Sequence, residues 1–103
     1  MTGGESAGVP LSQHDQYGTA AVDYSADFTR YYDRHSYVPT GIVVENQSEG
    51  IVELLAMATD TTNKKVRFLI QATQLGIAEI IVRATTQSGQ SYPVKYQINV
   101  REL

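Results

Sequence analysis

The sequence predicts an all-β fold, a small antiparallel sandwich of six or seven strands behind a flexible N-terminal arm. Two observations predict it. From Val66 to Val100, apolar residues fall on every second position in three consecutive runs, the period of strands with one face buried. Short polar clusters also punctuate the chain at hairpin spacing: Asn46 to Gly50, Asp60 to Lys64, Gln74-Leu75-Gly76 and Gln87 to Gln90. Such spacing divides a chain into the short strands of a sandwich. The 103 residues make one domain, long enough to bury a modest core without a metal or a disulfide.

Residues 1–18, with Gly3, Gly4, Gly8, Gly18 and Pro10, read as the arm, because they offer little to bury. The folded domain then spans residues 19–103. Ala20, Val22 and Tyr24 alternate and predict a first strand. Ser25 to His35 is ambiguous. Tyr24, Phe28 and Tyr31 or Tyr32 fit helical spacing with Ser25 as a cap, whereas Phe28, Arg30 and Tyr32 fit a strand. An irregular or strand-like segment is the preferred reading. Pro39 biases Val38 to an extended conformation, and Ile42-Val43-Val44 predict a short strand. Ile51 to Thr59 is the next, with Val52, Leu54, Ala56 and Ala58 on one face and Ile51, Glu53, Leu55 and Met57 on the other. The three regular strands follow. Val66, Phe68, Ile70 and Ala72 define the first, Ala78, Ile80, Val82 and Ala84 the second, and Tyr92, Val94, Tyr96, Ile98 and Val100 the third.

Composition narrows the function classes. The formal net charge is -3, and lysine and arginine are scattered singly, so no basic run is present to neutralise a phosphate backbone. Nucleic acid is not an expected partner. There is no cysteine and hence no disulfide framework. Met1 to Pro10 is Gly- and Ser-rich without an apolar segment, so it does not read as a signal peptide. The expectation is a protein made and kept inside a cell until something releases it. No apolar run approaches the length of a membrane span, and a membrane is not an expected partner.

No pattern of residues points to catalysis. The histidines, His14 and His35, are expected to be solvated. Ser36 beside His35 in sequence is not the geometry of a nucleophile and its base. With no cysteine and no paired histidine spacing, no zinc site is expected, and no glycine-rich phosphate loop occurs. Thr59, Asp60, Thr61, Thr62 and Asn63 bring oxygen atoms into one loop, as calcium prefers. A single carboxylate beside Lys64 and Lys65 reads better as a polar hairpin turn. No cofactor is expected.

Surfaces offer more. Tyr24, Phe28, Tyr31, Tyr32 and Tyr37 crowd one stretch. They form either a recognition patch, for a protein or a sugar, or part of the core of a small domain. Leu69, Ile77 and Ile81 fall on the side of their strands that should meet water, and Ile51, Leu55 and Met57 raise the same question. An aliphatic sheet face is often covered by a partner. The candidate protein-contact residues are Tyr31, Tyr32, Tyr37, Leu69, Ile77 and Ile81.

Gly76-Ile77-Ala78-Glu79-Ile80-Ile81-Val82-Arg83-Ala84-Thr85 resembles the penultimate strand of bacterial and phage immunoglobulin-like domains, which show a Gly-x-Ala-x-Ile-x-Val-x-Ala-Thr pattern there. Tyr96-Gln97-Ile98-Asn99-Val100 resembles their final strand. The resemblance covers roughly residues 50–103 and lacks the cysteine pair and tryptophan of antibody-type domains. It implies an immunoglobulin-like (Ig-like) sandwich. Such domains mostly bind, space or decorate, and few are catalysts. The expected function is a non-enzymatic structural protein attaching to a larger assembly, most concretely a phage virion protein that decorates a capsid. Its partner would be a capsid or other assembly subunit, with a homo-oligomer possible. The alternative is an adhesion or ligand-binding module of a bacterial surface or secreted protein.

Overall fold

The computed structural model describes residues 10–102. Seven strands and one short helix follow in the order β1 (Leu11–Tyr17), β2 (Ala21–Asp27), α1 (Thr29–His35), β3 (Pro39–Asn46), β4 (Val52–Asp60), β5 (Lys65–Ala72), β6 (Gly76–Thr86) and β7 (Ser91–Arg101). They form two sheets, β1-β7-β6-β3 and β2-β5-β4. The expected sandwich is present. All the strand pairs are antiparallel except β1–β7, which is parallel, with Leu11 opposite Lys95 and Tyr17 opposite Arg101.

The period-two pattern places the core. Val66, Phe68, Ile70 and Ala72 of β5, Ala78, Ile80, Val82 and Ala84 of β6, and Tyr96, Ile98 and Val100 of β7 are all buried between the sheets. Ala78 and Ala84 are fully buried, and their small side chains give the larger residues of the facing sheet room to pack. Gly76 opens β6 with a φ of +142°, and a Cβ there would lie 3.2 Å from Ile51 Cδ1. Glycine alone takes this conformation without strain.

Four expectations are corrected. Residues 11–17 belong to β1 and not to an arm; residues 1–9 lie outside the described residues. Ser12, His14 and Gln16 turn toward the interior while Leu11, Gln13 and Asp15 are exposed, with Gln16 fully enclosed. The polar composition concealed this strand, because its inward residues are hydrogen-bonding groups and not aliphatics. Second, the ambiguous stretch contains the helix α1. Phe28 and Tyr32, four apart, are both buried, and Tyr32 N–H donates to the Phe28 carbonyl at 3.0 Å. Asp27, not Ser25, prepares the helix start: its Oδ1 accepts from Thr29 N–H at 2.9 Å and from Thr29 Oγ1 at 2.6 Å.

Third, β4 does not alternate throughout. Its register against β5 shifts between Leu54 and Ala56, so that Leu54 faces Ile70 but Met57 faces Phe68. Leu55 is the extra residue of a β-bulge, which turns the strand's faces over beyond it. Fourth, His14 is not a solvated residue. Its ring stacks on Tyr96 at 5.3 Å and meets Tyr24 edge-on at 5.0 Å.

Candidate functional site: an aromatic groove beside α1

The helix carries the chain from one sheet to the other and closes one end of the sandwich. Tyr32 anchors it. The side chain is fully buried, and its hydroxyl donates to the carbonyls of Thr85 (2.9 Å) and Gly41 (3.3 Å). Phe28 N–H donates to the Lys64 carbonyl at 2.8 Å, and Lys64 Nζ pairs with Asp33 at 2.6 Å. Ser36, in the left-handed conformation at φ 55°, ends the helix.

Tyr31, on the same turn, lies against Tyr32 with ring centroids 5.3 Å apart but is only partly buried. Its ring lies parallel to Tyr92 of β7, with centroids 4.6 Å apart, and meets Tyr37 at 5.6 Å. His35 stacks on Tyr37 at 4.9 Å, and Phe28 meets Tyr92 edge-on at 6.2 Å. Burial pushes the Tyr31 hydroxyl pKa up, and the neighbouring Tyr37 and Tyr92 add to the shift. Phe28, Tyr31, His35 and Tyr92 line a groove of about 550 Å³ between α1, the end of β2 and the first half of β7. Its floor includes Phe28, Tyr92, Val94 and Tyr96, and its rim includes Arg30, Arg34 and His35.

The charges of the rim are unevenly used. Asp33 is paired with Lys64, whereas Asp27 accepts hydrogen bonds from the neutral Thr29 and keeps its charge. Thr29 therefore holds the Asp27 carboxyl below the usual carboxylate range. Arg30 and Arg34 are exposed and take part in none of the ion pairs among the described residues. They stand four apart on the helix, hence on one face.

The six candidate contact residues do not form one surface. Tyr31 and Tyr37 lie together beside the groove, whereas Tyr32 is part of the core. Leu69 lies on the outer face of β2-β5-β4, opposite Asp23 and Ala56. Ile77 and Ile81 lie on the outer face of β1-β7-β6-β3, on the other side of the sandwich. Ile81 is half-buried there among long charged side chains. Three cross-strand ion pairs span this face: Lys95–Glu79 at 3.4 Å, Arg83–Glu45 at 3.4 Å and Arg101–Asp15 at 3.2 Å. A ladder of this kind is an ordinary solvated sheet surface. Only Ile77 of the three aliphatics is largely exposed, at 60%.

Tyr92, Arg30 and Arg34 were missed as site residues. The alternation of β7 marks Tyr92 as inward-facing but not as the partner of Tyr31, which depends on where the helix docks. The spacing of the two arginines carries meaning only once residues 29–35 are helical.

A second polar cluster lies between β1 and β2. Ser12 Oγ is 2.7 Å from His14 Nε2. Tyr24 donates to Gln16 Oε1 at 2.7 Å, and Gln16 Nε2 donates to the Ala20 carbonyl at 3.1 Å. Burial, aided by the Asp15 charge, pushes the Tyr24 pKa up to about 12. The His14 ring is fixed by two aromatic neighbours and not by a carboxylate; among the described residues none bonds its Nδ1. Such a serine–histidine pair lacks the orienting third group of a nucleophilic triad. In the loop between β4 and β5, Asp60 accepts from Asn63 N–H at 3.0 Å and from Asn63 Nδ2 at 2.7 Å. Both carboxylate oxygens thus close the turn. No group of three or more histidine, aspartate or glutamate side chains among the described residues is placed to hold a metal ion.

The fold and groove define a small two-sheet β-sandwich with a helix across one end. No protein-family model matches the chain, and no curated protein is significantly similar to it.

Proposed function

We propose that this protein is a non-enzymatic, Ig-like attachment module of a larger assembly, most concretely a phage virion protein that decorates the capsid. The strand order supports the Ig-like part of the reading. Strands β2, β5 and β4 facing β3, β6 and β7 correspond to B, E and D facing C, F and G of that sandwich, with β1 moved across to pair with β7. The link from this fold to virion decoration is analogy.

The observation that carries the attachment role is the groove beside α1. Aromatic surface meets there with two guanidinium groups that have no ion-pair partner among the described residues, and aromatic residues with arginine are the side chains enriched in protein interfaces. The outer face carrying Ile77 and Ile81 supports the role less, because its charges are mutually paired. Self-association remains part of the reading as a closed symmetric oligomer.

The test is to purify particles from cells that produce the protein and to quantify this chain across a density gradient. The proposal expects it to band with the particles at a fixed copy ratio. Recovery wholly outside the particle fraction would overturn the virion reading.

A further inference from the structure

We propose that the groove beside α1 binds an extended, acidic segment of a partner protein in which carboxylates alternate with apolar side chains. This rests on the attachment reading above and names the chemistry of the partner. Arg30 and Arg34 both border the groove, are exposed, and have no ion-pair partner among the described residues. Asp33 is neutralised by Lys64, whereas Asp27 keeps its charge and also lines the groove, so two guanidinium groups stand against one carboxylate. The rim therefore presents positive charge on a chain whose net charge is -3.

Spacing selects the conformation of the partner. One helical turn separates Arg30 from Arg34, about 6 Å. Alternate residues of an extended chain lie about 6.5–7 Å apart and point the same way. Two carboxylates at i and i+2 thus match the two guanidinium groups, each able to form a bidentate pair. The residue between them points the opposite way, toward the floor of Phe28, Tyr92 and Val94.

Recognition through side chains is favoured over addition of a strand. Lys95 N–H donates to the Pro10 carbonyl at 2.8 Å, so odd-numbered residues of β7 direct their backbone groups toward the β1 side. β1 begins opposite Lys95, so among the described residues no strand pairs the first residues of β7 on that side. Pro93 occupies that edge and has no N–H to donate. A nucleic acid is disfavoured by the net negative charge and by a rim of only two arginines.

The test is titration of the intact protein, followed by amide NMR, with a short synthetic peptide alternating glutamate and leucine. The proposal expects saturable shifts at residues 28–37 and 91–96. Affinity should fall on the order of tenfold or more in R30E and again in R34E, and should be lost when glutamine replaces glutamate in the peptide. R67E, whose parent side chain pairs with Asp23 on the outer face of β2-β5-β4, should leave binding unchanged, and unaltered spectra elsewhere would show that each variant folds. No saturation, equal binding of the glutamine peptide, or tighter binding of a single-stranded oligonucleotide would each overturn the proposal. If the peptide fails while the protein still bands with particles, the attachment reading stands and the groove assignment falls.

Discussion

Tyr32 and Tyr31 are adjacent in sequence and have opposite fates. Tyr32 sinks into the core with its hydroxyl on two backbone carbonyls, while Tyr31 lines the groove. Tyr32→Phe removes the hydroxyl that donates to the Thr85 carbonyl, while the Gly41 carbonyl keeps Thr85 Oγ1 as a donor at 3.2 Å; the loss costs about 0.5–1.5 kcal/mol. Urea unfolding should show this as a lower midpoint with an unchanged slope. Gly76→Ala should cost on the order of 1–3 kcal/mol as well, because the position combines a left-handed φ with Ile51 at contact distance. Tyr24 adds a pH dependence. Its folded pKa is raised from 10.0 to about 12, so folding favours the neutral phenol. That contribution is fully present below pH 10 and is lost as pH rises toward 12. Thermal unfolding of wild type and Tyr24→Phe across this window checks it: the wild type should lose stability more steeply than the variant. The side-chain types at these positions were legible in the sequence, but their directions were not, since a tyrosine serves equally as core and as surface.

At the scale of elements, regular alternation was read correctly and its interruptions were not. β5, β6 and β7 lie where period-two patterning put them. The bulge at Leu55 leaves no mark in the run Leu54-Leu55-Ala56-Met57, where either face could be apolar. The helix α1 was concealed because Phe28 and Tyr32 fit both periods, and tertiary contacts decided between them. β1 was hidden by its polar inner face. The helix also supplies an element-scale prediction. Asp27 and, at the β4–β5 turn, Asp60 both have pKa values below the usual carboxylate value because of the hydrogen bonds they accept. A depressed folded pKa means stability that is present above the unfolded value, near pH 4, and lost as pH falls through the folded one. The melting temperature should therefore decline below about pH 4, and less steeply in the Asp27→Asn, Asp60→Asn double variant.

Across the whole molecule, surface character is divided between the two outer faces and the end closed by α1. The outer face of β1-β7-β6-β3 carries three ion pairs, which contribute little each, interspersed with the exposed side chains of Leu11, Tyr17, Val43 and Ile77. The outer face of β2-β5-β4 holds Leu69 beside the Arg67–Asp23 pair. Neither combines aromatic surface with unpaired charge. Two of the four edge strands carry irregularities that discourage strand-to-strand association, the register shift at Pro39 in β3 and the bulge in β4. The groove is the surface to which we assign the contact.

Hydroxyl-radical footprinting of the protein, free and attached to the assembly with which it copurifies, measures this directly. Attachment should lower the oxidation of Tyr31, His35 and Tyr92 severalfold while Ile77 and Leu11 remain as reactive as in the free protein. Protection of Ile77 and Leu11 with Tyr31, His35 and Tyr92 unchanged would contradict the account.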